Sequence, residues 1–178
     1  MFKIERKAIV TAVAAAAAVF HMVAAIAPFT ALIQRPIHLA FMSILGFVGA
    51  DLYSKKGNTS RGSKYLSVLL ACLTVTSCIY LVSQYQVLVS RSGSPTNLDL
   101  IAGSITLLLV LELARRFTGW GLVTVAILAL AFAFSGPYLP GILAHRGYGV
   151  QRLVEHLYLS TEGIWGIPLG VSAQFVYL

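Results

Sequence analysis

Charged residues are scarce in this sequence, and their scarcity excludes several classes of protein. Only 11% of the 178 residues are charged, compared with about 25% in an average soluble domain. Hydrophobic residues make up 58% of the chain, and its mean hydropathy is +0.83. A soluble fold of this size cannot bury so much apolar surface. The composition therefore excludes a cytoplasmic enzyme, a disordered tail and a nucleic-acid-binding module, and it predicts an integral membrane protein.

Residues that bind metals or cofactors are also sparse. The only two cysteines, Cys72 and Cys78, lie in an apolar stretch, and their spacing separates them by about 120° around a helix. We therefore expect neither a disulfide between them nor a shared metal. His145 and His156 have no cysteine or extra carboxylate at ligand spacing, so no metal site is predicted. Phosphate-binding, dinucleotide-binding, nucleophile-elbow and zinc-protease motifs are missing, and no cofactor is expected.

Long uncharged stretches are abundant, and they predict the fold. A helix needs roughly 20 apolar residues to cross a bilayer. Stretches without charge cover residues 8–34, 36–50, 65–90, 100–111 and 117–144. The second spans if its helix continues to about residue 53, the fourth needs Glu112 near the headgroups, and the fifth should end before Gly136-Pro137. The sequence predicts an all-α, polytopic membrane protein with about five transmembrane helices and the start of a sixth.

The basic residues predict the orientation. With the N-terminus in the cytoplasm, nine of the thirteen lysines and arginines fall on the inner side, as the positive-inside rule requires. The nine are Lys3, Arg6, Lys7, Lys55, Lys56, Arg61, Lys64, Arg115 and Arg116, and the other four are Arg35, Arg91, Arg146 and Arg152. The first helix has a second interpretation as a cleaved secretory signal, because Ala25-Ile26-Ala27 resembles a cleavage site. We favour a retained helix, since Pro28 follows that site directly.

Few ionisable residues fall within the predicted spans. Glu112 precedes Arg115 and Arg116 by three and four residues, a spacing that favours a structural ion pair on one helix face. The alternative is a role of Glu112 in ion or proton coupling. Asp51 and Lys55 are expected to pair in the same way at the interface.

One histidine, His21, lies near the middle of the first predicted span, and another, His38, lies at the outer edge. We expect His21 to be neutral and hydrogen-bonded to a neighbouring helix, with a proton relay as the alternative. Arg35 and His38 flank Pro36, where we expect a plain turn, although an anion or a lipid headgroup could also meet them.

Two features follow the fifth span. Val150, Leu153, Val154 and Leu157 recur at helical spacing, which predicts a short amphipathic helix lying in the outer interface or capping other helices. Residues 163–170 (GIWGIPLG) form an apolar run interrupted by glycine and proline. In transporters such interruptions mark broken helices or re-entrant hairpins near the substrate, whereas the alternative is a kink where a helix enters the membrane. Gly166, Pro168 and Gly170 are therefore weak candidates for a substrate or ion site, as is Glu112.

Four blocks of the sequence resemble the fused permease subunit of tripartite ATP-independent periplasmic (TRAP) transporters, of the kind associated with TAXI-type binding proteins. The blocks are Arg35-Pro36-Ile37-His38, residues 107–120 (LLLVLELARRFTGW), residues 136–147 (GPYLPGILAHRG) and residues 157–178 (LYLSTEGIWGIPLGVSAQFVYL). The resemblance runs from about residue 35 to the end of the chain and is most specific in the last block. It corresponds to the N-terminal part of such a permease.

The resemblance implies a secondary transporter of the bacterial inner membrane, driven by a sodium gradient and supplied by a soluble periplasmic receptor. Residues 1–96 would form a small membrane module with three spans. Residues 97–178 would begin the large transport module, with two spans, the interfacial helix and a truncated Gly/Pro-interrupted segment. Family members continue far beyond this point, so no ion-binding residue of the family can be assigned here, and we expect the chain to need the remainder of its permease.

The sequence thus predicts part of a permease that takes up a small, organic-acid-like solute. The alternative is a structural or accessory membrane subunit without its own translocation pathway. A membrane-embedded enzyme is disfavoured, because few acids, histidines or serines converge at one depth. The expected partners are the bilayer, the rest of the permease and a periplasmic substrate-binding protein, with no nucleic acid.

Overall fold

A computed structural model describes residues 2–49, 61–90 and 93–175, and all of its regular structure in these ranges is helical. The described ranges contain seven α-helices: α1 (Phe2–Ile26), α2 (Ala31–Ile44), α3 (Arg61–Ser90), α4 (Asn97–Thr118), α5 (Trp120–Ser135), α6 (Val150–Tyr158) and α7 (Ile167–Phe175). A π-helix over Leu45–Gly49 continues directly from the end of α2. Two short 3₁₀ turns, Gly136–Tyr138 and Gly141–Leu143, follow α5.

Five of these helical stretches are long and apolar enough to cross a membrane. They cover Arg6–Ile26, Ala31–Gly49, Gly62–Leu88, Asn97–Thr118 and Trp120–Tyr138. The predicted fold class, a polytopic helical membrane protein, is confirmed. The predicted pair of Asp51 and Lys55 and the continuation of the second span to residue 53 lie outside the described residues.

The turn between the first two spans lies earlier in the chain than the charge pattern predicts. The helix α1 ends at Ile26, and α2 begins at Ala31 after the N-cap residue Thr30. The uncharged stretch 8–34 therefore holds one complete span and the first turn of the next. Pro36, predicted to mark a turn, lies inside α2. Pro28 lies in the turn itself, where the absence of a backbone N–H in proline costs no helical hydrogen bond.

The helix α2 is the centre of the bundle, because α1, α3 and α7 all pack against it. A second group forms around α4, which contacts α3, α5 and α6. The larger buried cluster joins the two groups and contains Leu39, Leu81, Tyr158 and Trp165. A smaller cluster at the opposite end of α2 contains Val10 and Phe47. The bundle is therefore closed at one end by the chain that connects α6 with α7.

The amphipathic helix α6 caps other helices, which was one of its two predicted roles. Val154 and Tyr158 are buried, whereas Val150, predicted to belong to the apolar face, is 57% exposed. The buried face meets Gly103 of α4, where an added Cβ would lie 2.4 Å from Val154 Cγ1 and 2.9 Å from Tyr158 Cδ1. The predicted apolar stripe is thus rotated toward Tyr158, because that aromatic ring contributes more apolar surface than Val150.

Candidate functional site

The connection between α6 and α7 lies against the first half of α2. Residues 159–166 are not helical, and α7 begins only at Ile167. The glycine- and proline-rich interruption is therefore a turn between two separate helices. Pro168 lies in the first turn of α7, where a backbone N–H is not needed. Gly166 precedes α7, and its carbonyl accepts the 3.0 Å hydrogen bond from the Gly170 amide.

Arg35 of α2 holds this connection in place. Its Nη1 donates to the carbonyl of Trp165 and, at 3.2 Å, to the carbonyl of Gly166. The guanidinium also lies directly against Gly170, because a Cβ added there would be 2.8 Å from Arg35 Nη2 and 2.9 Å from Cζ. Gly170 therefore allows α7 to approach the arginine. The expectation of a plain turn at Arg35 and His38 is wrong, because both side chains bind α7 and the residues before it.

Trp165 anchors the same connection in the protein interior. Its side chain is fully buried, and its Nε1 donates to the carbonyl of Tyr158 at 2.5 Å. The amide of Ile164 donates to the carbonyl of Leu157 at 2.8 Å. These bonds tie the turn back to the end of α6, so the carbonyls that receive Arg35 are held rigidly.

A chain of hydrogen bonds links α1, α2 and α7 next to Arg35. His21 and His38 are buried, and His21 Nε2 lies 2.8 Å from His38 Nδ1. His21 Nδ1 lies 2.6 Å from the carbonyl oxygen of Ala17, and His38 Nε2 lies 3.0 Å from Ser172 Oγ. The predicted hydrogen bond of His21 to a neighbouring helix is confirmed. Two histidines and a serine thus lie close together at one depth. From the sequence, few acids, histidines or serines are expected to do so.

A cluster of buried hydroxyl groups joins α3, α4 and α6. The Tyr158 hydroxyl donates to the Ser77 carbonyl at 2.9 Å, and Ser77 Oγ contacts Thr106 Oγ1 and donates to the Ala102 carbonyl at 3.0 Å. Burial raises the pKa of the Tyr158 phenol well above its ordinary value, with hydrogen bonds to Ser77 and Thr106 acting in the opposite direction. Tyr158 is therefore a neutral structural group that fixes α6 on α4.

The ion pair predicted on α4 is present at the other end of the bundle. Glu112 accepts from Arg115 Nε at 2.7 Å and from Arg116 Nε at 2.8 Å. Arg116 also donates to Ser67 Oγ at 3.0 Å and lies 4.9 Å from the ring centre of Phe47. Phe47 follows Arg35 by twelve residues, or about 18 Å along a helix. The structure therefore does not bring Glu112 together with Gly166, Pro168 and Gly170.

Replacing Glu112 with glutamine is expected to lower stability by about 1 kcal/mol, because a half-exposed pair is worth about that much and two arginines lose their carboxylate. Detergent unfolding would measure the change, with the exposed Glu162→Gln as the matched control. An unchanged stability of Glu112→Gln, combined with a lost ion dependence of uptake in the permease, would instead favour the coupling role.

Sequence reasoning missed Asp99, which is fully buried at the start of α4. Its Oδ2 accepts from the Thr96 amide at 2.7 Å and from Thr96 Oγ1 at 2.8 Å, and its Oδ1 accepts from the Tyr80 hydroxyl at 2.6 Å. Thr96 and Asp99 form a capping box, and the spacing Thr-x-x-Asp is its recognisable signal. Ser172 was also missed, and no local pattern identifies it.

Potential metal ligands stay apart in the described part of the chain. Within residues 2–49, 61–90 and 93–175, no three His, Cys, Asp or Glu side chains are grouped to hold a metal ion. His145 lies 3.0 Å from the Phe132 carbonyl, whereas His156 is exposed on α6. An open cavity of about 640 Å³ lies between residues 93–95 and the polar face of α6, away from Arg35.

Comparisons of the chain with protein-family models, with curated proteins and with solved structures found no match.

Proposed function

We propose that this chain is part of a secondary-active permease of the TRAP type, which takes up a small, organic-acid-like solute from a periplasmic receptor across the bacterial inner membrane. The observation that carries the proposal is the contact of Arg35 with the carbonyls of Trp165 and Gly166. Two of the sequence blocks that resemble the family, residues 35–38 and 157–178, meet at this contact. Residues distant in sequence but adjacent in space are expected when both blocks serve one function.

The geometry supports a role for this contact in positioning. A guanidinium has five N–H donors in a rigid plane, so it can bind two adjacent carbonyls of a turn at once. Non-helical backbone at membrane depth occurs in transporters where it is buried in protein or lines a cavity. Arg35 would thus hold the Gly166-to-Gly170 region in the shape that the rest of the permease requires, with α1, α2 and α3 as its support.

A structural or accessory subunit is the second candidate, and one observation favours it. The polar groups near α7 bond to protein groups: Arg35 binds carbonyls, and His21, His38 and Ser172 form a continuous chain of hydrogen bonds. None of these four residues lines the open cavity beside α6. Such a self-contained polar site stabilises helix packing without providing a path for solute.

Uptake into liposomes distinguishes the two candidates. The complete permease that contains this chain is reconstituted with a TAXI-type periplasmic receptor loaded with solute, and solute accumulation is measured under an inward sodium gradient. Receptor-dependent accumulation that disappears without the chain supports the permease. Equal accumulation by the remaining subunits without the chain supports the accessory role. No receptor-dependent accumulation in any combination would contradict the TRAP-type proposal.

The proposed orientation places the N-terminus in the cytoplasm, and reporter fusions test it. Alkaline phosphatase is active only in the periplasm, so we expect high activity from fusions at Ser94 and Gly147. A fusion at Ser60, which lies outside the described residues, should be inactive because of the basic residues around it. High activity at Ser60 with low activity at the other two positions would reverse the topology.

A further inference from the structure

The hydrogen bonds that link Ala17, His21, His38 and Ser172 can each be given a direction, starting from the Ala17 carbonyl. A backbone carbonyl can only accept, so the contact with Ala17 requires a hydrogen on His21 Nδ1. In a neutral imidazole the other nitrogen is then an acceptor, so His38 Nδ1 donates to His21 Nε2. His38 Nε2 remains as the acceptor for the Ser172 hydroxyl. With both rings neutral, every ring nitrogen has a partner.

This arrangement can take up one further proton without losing a hydrogen bond. If His38 Nε2 becomes protonated, the Ser172 hydroxyl turns from donor to acceptor, and the other bonds keep their directions. A second proton would place two N–H groups against each other across the 2.8 Å between His21 and His38. We therefore propose that His21 and His38 together form a binding site for a single proton, which the two rings share.

The proposed site also needs an entry point for the proton, and Ser172 provides one. His21 and His38 are buried, whereas Ser172 is exposed on α7, so the chain is closed at Ala17 and open at Ser172. A hydronium ion transfers a proton to Ser172 Oγ and becomes a water molecule. At the same time the original Oγ–H bond breaks, and that proton forms a covalent bond with His38 Nε2. Moving the hydrogen of His38 Nδ1 to His21 Nε2 then transfers the positive charge to the second ring.

The charges around the pair are few. Arg35, one turn before His38 on α2, directs its guanidinium to the carbonyls of Trp165 and Gly166. The other packed stretches, residues 8–26 of α1, 65–90 of α3 and all of α7, contain no Asp, Glu, Lys or Arg. The remaining titratable groups on α3 are Tyr65, Cys72, Cys78, Tyr80 and Tyr85. Glu162, in the connection before α7, is exposed. These stretches contain no carboxylate that competes for the proton or balances its charge, and the two imidazoles are the groups that can accept it.

The same three side chains resemble a nucleophile with its base, but the backbone does not suit acyl transfer. Such chemistry needs N–H donors placed to receive an oxyanion. Ser172 lies within α7, where the amides are committed to helical hydrogen bonds. A site for a proton needs no such donors. The proposal is independent of the transport function, because it concerns the equilibrium of two rings with protons in water.

Nitrogen NMR of the full chain tests the proposal. Protein labelled with ¹⁵N-histidine is placed in phosphatidylcholine nanodiscs and titrated from pH 8 to pH 4. At pH 8 we expect both His21 and His38 to carry hydrogen on Nδ1 alone. On acidification the pair should gain one proton in total, with the shifts of both rings changing at the same pH. The signals of His145 and His156 provide an internal reference.

Two variants make the test decisive. Ser172→Ala removes the acceptor of the added Nε2–H, so the proton affinity should fall about tenfold, a displacement of one pH unit. The control Ser83→Ala removes an exposed hydroxyl that donates to the Tyr80 carbonyl of its own helix, and it should titrate like the parent. In His21→Gln the proton should stay on His38. Independent titration of the two rings, equal behaviour of the two serine variants, or no uptake down to pH 4 would overturn the proposal.

Discussion

Replacing Arg35 with leucine is expected to destabilise the protein by about 3 kcal/mol. The substitution leaves the Trp165 carbonyl without the donor that Arg35 supplies, and an unsatisfied buried acceptor costs about 1–3 kcal/mol. It also removes the second bond to the Gly166 carbonyl, which keeps the bond from the Gly170 amide. Unfolding in mixed detergent micelles, followed by Trp165 fluorescence in a Trp120→Phe background, measures this change locally. Trp165 is fully buried while Trp120 is 64% exposed, so the emission of Trp165 should also shift to longer wavelength.

Two further variants separate the hydrogen bonds of Arg35 from its charge. Arg35→Lys keeps the charge but replaces the planar guanidinium with a single ammonium, so we expect about half of the loss. Arg146→Leu removes an exposed arginine from the loop after α5 and should change stability by less than about 0.5 kcal/mol. If Arg35→Leu were no more damaging than Arg146→Leu, the fold of residues 159–166 would not depend on the guanidinium.

The spans were predictable because a bilayer imposes a minimum apolar length. The end of α5 before Gly136-Pro137 is confirmed at Ser135. The position of the first turn was not predictable from charge alone. Pro28 and Pro36 both lie near the boundary between the first two spans, but only Pro28 lies in the turn between two helices. Pro36 stays inside α2, whose flanking side chains Arg35 and His38 gain partners more than 100 residues away.

The candidate site depends on contacts between distant residues, which explains why sequence reasoning reached only its parts. Arg35, His38 and the run ending at Gly170 each stood out separately, but no local pattern relates α2 to α7. Ser172 is one hydroxyl in an apolar helix, and it gains importance only through its 3.0 Å distance to His38 Nε2. By contrast, the ion pair of Glu112 is local, and helical spacing was sufficient to predict it.

The turn between α6 and α7 also makes a sharp prediction for glycine substitutions. A Cβ at Gly163 would lie 2.3 Å from Leu157 Cα and 2.4 Å from its carbonyl oxygen. Backbone atoms cannot move aside as a flexible side chain can, so Gly163→Ala must separate the turn from α6. That movement would strain the 2.8 Å hydrogen bond from the Ile164 amide to Leu157. We expect a loss of about 3 kcal/mol, the upper part of the usual range for overpacking.

Two other glycines provide a graded comparison with Gly163. At Gly103 the atoms nearest to the added Cβ belong to the side chains of Val154 and Tyr158 and not to the backbone, so α6 can shift slightly and Gly103→Ala should cost about 1–2 kcal/mol. At Gly121 nothing lies within 4 Å, and alanine in this helix should stabilise by up to about 1 kcal/mol. In the same unfolding assay, we expect the largest loss of stability for Gly163→Ala, a smaller loss for Gly103→Ala and no loss for Gly121→Ala. A Gly163→Ala protein as stable as the parent would mean that the turn is loosely held, and Arg35 would then bind carbonyls that are free to move.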